Sequence, residues 1–139
     1  MKSYTDLEQS KKLADILPLE SADMTLPFRH TKDDKYFPGC VTARSYIDVY
    51  NEMIALPGMD KEEICKLIQP CWSLAALLGV LPKEINVLGT IYSINIHTKN
   101  EKWFIDYKCN NEEFVGVYSN IFVDACYEMI LKLNELKLL

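Results

Sequence analysis

The spacing of apolar residues changes period along the chain, and that change constrains the fold more than any other feature. Up to residue 81 the regular stretches repeat apolar side chains at a spacing near four. From 86 to 118 they alternate, and from 121 to 136 the spacing near four returns. A helix presents one face every third or fourth residue and a strand every second, so the pattern calls for helices, then a sheet, then a helix. The fold class read from it is α+β: N-terminal helices, a three-stranded antiparallel meander and a C-terminal helix packed on the sheet. With 139 residues the chain is read as a single domain over 1–139. Its 49% hydrophobic content and few Gly and Pro exclude disorder and low-complexity sequence.

Local signals place the elements. Thr5 with Glu8 three residues on has capping-box spacing for a first helix, which Pro18 ends. Residues 19–43 are irregular, punctuated by Pro27, Pro38 and Gly39, with a short strand over 24–28. Ser45 opens a helix that Pro57-Gly58 stops, and Asp60, with Glu63 at the reciprocal position, caps the next. Pro70 suits the first residue of a third helix, nearly all apolar over 72–81, and Pro82 closes it.

In 86–98, Thr90, Tyr92, Ile94 and Ile96 alternate with Ile91, Ser93, Asn95 and His97, which reads as one strand. Polar turns at 98–101 and 110–113 separate it from strands carrying Trp103, Ile105 and Tyr107, and then 114–118. In the last helix Phe122, Cys126, Met129, Leu133 and Leu136 form the apolar stripe, and Glu128 stands in favourable order to Lys132 on the opposite face.

Charge and cysteine content narrow the function classes. Fifteen Lys and Arg stand against 20 Asp and Glu, a net charge of −5, and only Arg29 and Arg44 are arginine. That balance argues against nucleic-acid binding, which needs clustered cations on phosphates. The order of a three-stranded meander and a final helix is similar to the double-stranded RNA-binding domain, but residues 119–126 carry Asp124 and none of the lysines that clamp phosphates there. No run is apolar and long enough to span a bilayer and the N-terminus has no secretory pattern, so the expectation is a cytoplasmic protein without membrane association. Five cysteines without a CxxC pair favour reduced thiols over a disulfide framework or zinc site; no metal and no cofactor is expected.

Two constellations could carry chemistry. Cys71, read at a helix N-terminus where the dipole stabilises a thiolate, is followed by His97 as base and Asp106, or Asn110, as orienting group, the order of a papain-like thiol hydrolase, with Gln69 as oxyanion donor. Alternatively Arg29, His30, Lys32, Lys35 and Arg44 supply cations, and Tyr36 or Phe37 a stacking ring, for a small nucleotide-type ligand. Tyr92, Trp103, Tyr107 and Tyr118 fall on the sheet. If one face is wet, Ile91, Phe104 and Val115 or Val117 become exposed apolar candidates for a partner or self-association surface.

Three stretches, 7–24, 70–82 and 123–139, cover about a third of the chain and resemble a group of uncharacterised small proteins encoded by phages, prophages and mobile elements of gut bacteria. The hallmark is the frame Pro-x-Trp-Ser-Leu-x-x-Leu-Leu-x-x-Leu-Pro from Pro70 to Pro82, followed by a variable sheet and a terminal helix. The resemblance implies a small accessory protein that binds a host protein or a copy of itself. It implies no activity or cofactor, and its pattern does not fix cysteine at the position of Cys71.

Overall fold

The computed structural model describes residues 1–30 and 36–139, with the backbone alone for His30, Tyr36 and Phe37. It is α+β, and the described chain divides into two compact units: Tyr4–Ala76, and Leu77–Leu139 together with Met1–Ser3.

In the first unit, helix α1 (Leu7–Ile16) starts one residue later than its expected cap. Asp6 accepts from Gln9 N, and the Gln9 side chain returns the bond to Asp6 N. Thr5 is instead buried, its hydroxyl paired with Ser10 Oγ and accepting from Trp72 N. A polar side chain that satisfies two groups inside the core is not free to cap a helix at the surface.

Strand β1 (Met24–His30) pairs antiparallel with β2 (Tyr36–Pro38) on one side and β3 (Ile68–Cys71) on the other. Between them run α2 (Tyr46–Ile54), capped by Ser45, and α3 (Lys61–Leu67), capped by Asp60. Both caps stand where the sequence puts them.

The expected third helix does not begin at Pro70. Residues 68–71 form β3, and α4 (Leu74–Val80) starts after Ser73, whose hydroxyl accepts from Ala76 N. Pro70 stands opposite Thr25, whose N–H and C=O both bond to Thr42 on the other side. The proline nitrogen therefore has no ladder bond to supply, and β3 is an edge strand that tolerates it. Leu13, Ile64, Cys71 and Trp72 are fully buried here, and Trp72 Nε1 donates to Ser21 Oγ at 2.9 Å.

The second unit is a meander of four strands, not three: β4 (Glu84–Val87), β5 (Thr90–Lys99), β6 (Lys102–Cys109) and β7 (Glu112–Ser119). Each link has two residues, and all six residues have positive φ: Leu88-Gly89, Asn100-Glu101 and Asn110-Asn111. That is the type I′ geometry whose twist matches paired strands. Helix α5 (Phe122–Glu135) lies against β6 and β7, and Phe122 stacks on Trp103 with centroids 4.1 Å apart. Ile105, Tyr107, Val123, Cys126, Met129, Ile130 and Leu133 are buried in this unit. Tyr107 Oη donates to Pro82 O at 2.6 Å. No helix of the described residues is long and apolar enough to cross a membrane.

Candidate functional site

Alternation along β6 sends Ile105 and Tyr107 to the buried face and Phe104, Asp106 and Lys108 to the other. Register then assembles rows across that second face. His97, Phe104 and Tyr118 are cross-strand neighbours; so are Asn95, Asp106 and Gly116, and then Ser93, Lys108 and Glu113.

The first row is aromatic. His97 and Phe104 stack with centroids 5.2 Å apart and planes 7° apart, and Phe104 meets Tyr118 at 5.6 Å. Lys102 Nζ lies 5.0 Å from the Tyr118 ring centre, in cation–π range. Tyr118 is 62% exposed, and Ile91 on the same face is exposed too. Phe104 and Val117 are half-buried, while Val115 is buried. Val115 opposes Tyr107 and so belongs to the covered face.

The second row holds the feature that sets this face apart. Asp106 is only 3% exposed although its strand neighbours on this face are solvated. Its Oδ2 lies 3.8 Å from Lys108 Nζ and 3.9 Å from His97 Nδ1, while its buried Oδ1 has no hydrogen-bond partner among the described residues. Asn95 Nδ2 is 3.1 Å from His97 Nδ1, which holds the imidazole in place. Opposite Asp106, Gly116 leaves room for the Glu113 carboxyl, whose Oε1 lies 2.5 Å from where a Cβ at 116 would stand.

His97 and Asp106 are thus together, as the sequence pairs them, but without the proposed nucleophile's setting. Cys71 belongs to the other unit and sits in strand β3, not at a helix N-terminus. It is fully buried and its thiol donates to Thr5 O at 3.4 Å. Burial pushes that thiol up, against the opposing hydrogen bonds from Thr5 and Ser10. A nucleophilic thiol needs the reverse. The proposed activation of Cys71 by a helix N-terminus is therefore corrected: the helix starts three residues too late to provide it.

Of the proposed ligand-binding cations, Lys32 and Lys35 lie outside the described residues, and His30 and Tyr36 are described by backbone only. Arg29 is exposed, and Arg44 is held by Glu52. Among the described residues no three His, Cys, Asp or Glu side chains are grouped to hold a metal ion.

Sequence reasoning missed Lys108, Glu113 and Gly116 as neighbours of Asp106, since only register reveals them. The chemistry on this face is an aromatic platform, flanking charges and an acceptor oxygen without a donor among the described residues. No family model, no curated protein and no solved structure matches this chain.

Proposed function

We propose that this chain is a binding protein without catalysis, an accessory protein of the phage and mobile-element type, which engages a host protein through the solvent-facing side of its four-stranded sheet. The observation that carries the reading is Asp106 Oδ1, a buried acceptor with no donor among the described residues, beside the ring row of His97, Phe104 and Tyr118. An unsatisfied buried polar group costs about 1–3 kcal/mol. A donor brought by a partner removes that cost on binding, and an arginine does it best: its planar guanidinium stacks on exposed rings while donating to a carboxylate. Exposed tyrosine is also among the residues that interface centres favour.

The test is native mass spectrometry of the tagged protein recovered from lysate of its host, alongside Tyr118→Asp and Asp106→Asn. The expected result is a polypeptide adduct on the natural chain that is lost from both variants. A bare monomer, an adduct that survives both substitutions, or a multiple of the chain's own mass would overturn the host-protein reading, the last in favour of self-association.

A further inference from the structure

The unit Tyr4–Ala76 carries a cleft with no role in the sheet-face reading. Leu19, Tyr46, Ile47, Tyr50, Lys61 and Cys65 line a lobe of about 240 Å³. Four of them, Leu19, Tyr46, Lys61 and Cys65, also border a second lobe of about 390 Å³, to which Asp15 and Gln69 contribute. The second lobe falls at the lower end of the range of small-ligand sites of about 300–1,000 Å³, and the first lies below it, so only a small ligand fits.

Two polar groups in the first lobe lack partners among the described residues. Tyr46 is 4% exposed, and its hydroxyl makes no hydrogen bond to any described residue. Burial, with smaller contributions from Cys65 and Tyr50, pushes its phenol up to about 12, so at neutral pH it keeps its proton and is a donor. Lys61 has no carboxylate within ion-pair distance among the described residues. The acids of its own helix are engaged elsewhere in two cases, Asp60 in the cap and Glu63 with Lys66. A phenol donor and a cation, both unpaired among the described residues and both bordering one lobe walled by Leu19, Ile47 and Tyr50, define what fits there. The occupant has an anionic, acceptor-rich end and an apolar body. Asp15 on the second lobe sets a like charge against any second anionic group.

We propose that this cleft binds a small organic monocarboxylate with an aromatic or branched apolar body, its carboxylate accepting from Tyr46 Oη and facing the Lys61 ammonium. The body lies between Leu19, Ile47 and the Tyr50 ring. The site is separate from the sheet face, and its test does not depend on a protein partner.

Cys65 borders both lobes and is exposed, so its alkylation reports occupancy, and the exposed Cys40 serves as internal control. The full chain is treated with iodoacetamide with and without 3-phenylpropionate or its neutral amide, 3-phenylpropanamide, and the two cysteines are followed by peptide mapping. At ten times its Kd the acid slows Cys65 alkylation about tenfold by mass action and leaves Cys40 unchanged. The amide, lacking the charge-assisted bonds, needs about tenfold more for the same protection. Lys61→Gln, at an exposed position, weakens protection by the acid about tenfold, and Tyr46→Phe by about fivefold. Equal protection by acid and amide, protection unaffected by Lys61→Gln, slowing of Cys40 in step with Cys65, or no protection at about 10 mM acid would each overturn the proposal.

Discussion

The two faces of the four-stranded sheet are built on opposite terms, although three consecutive residues of β6, Ile105, Asp106 and Tyr107, are all buried. On one face Ile105 and Tyr107 bury apolar surface, and the single polar tip, Tyr107 Oη, finds Pro82 O. On the other, Asp106 is buried with one oxygen unsatisfied, and aromatic rings stand out into solvent. The first arrangement adds stability for every group it covers. The second gives some away, and departures from local consistency of that kind concentrate where a surface is used.

Substitutions can break this contrast. Ile105→Ala is expected to lower the unfolding free energy by about 3 kcal/mol, the middle of the range for a fully buried aliphatic. Phe104→Ala, next to it on the solvated face, should cost less than half of that. Urea denaturation of both variants measures the difference, and equal losses would make the two faces equivalent.

Alkaline pH loads the buried face next. Burial pushes the Cys126 thiol up to about 12 from its ordinary value of 9.0, and pushes the Tyr107 phenol up as well. Between pH 9 and 12 the unfolded chain has released the Cys126 proton that the folded chain keeps. The contribution is therefore whole below pH 9 and is lost as pH rises, at about 1.4 kcal/mol per pH unit for each such group. Cys126→Ala should make the fall of Tm with pH shallower over that interval.

A smaller effect of opposite sign is expected at Asp106. Asp106→Val removes an unsatisfied buried carboxyl and supplies a β-branched strand residue, so the unfolding free energy should rise by about 1 kcal/mol. A loss of that size would mean that the Lys108 and His97 contacts already compensate the burial. Smallest of all, Tyr118→Thr should change stability by no more than about 0.5 kcal/mol, as exposed positions do, while removing the partner captured by the natural chain.

Much of this architecture is legible in the sequence. The Ser45 and Asp60 caps and the two polar turns carry local signals and stand where those signals put them, and of the α5 stripe Cys126, Met129 and Leu133 are buried while Leu136, past the helix end, is exposed. Where the reading departs, a nonlocal contact or an unusual residue decides. The hairpin between β4 and β5 turns at Leu88 with φ 52°, and a leucine in the left-handed region gives no turn signal of its own. An apolar, alternating sequence therefore reads as one strand across it. Residues 68–71 form a strand because β1 lies alongside, which their own composition does not announce. The sheet-face site is half visible in the sequence: His97 and Asp106 pair there with Cys71 as nucleophile, whereas register gives them different neighbours, Phe104 and Tyr118 in one row and Gly116 in the other.

The three two-residue turns also bear on how fast each sheet can form. In the meander every strand pairs with the next along the chain, so each hairpin can close locally and zip onto the one before, on the microsecond scale of hairpin formation. The other sheet must bring Met24 to Cys71 before its β1–β3 ladder gains a single bond, and the entropy of closing that long loop is lost in advance. The order of assembly is then set by sequence separation: the meander, rich in local pairings, forms first, and the sheet holding Cys71 waits for its distant strand.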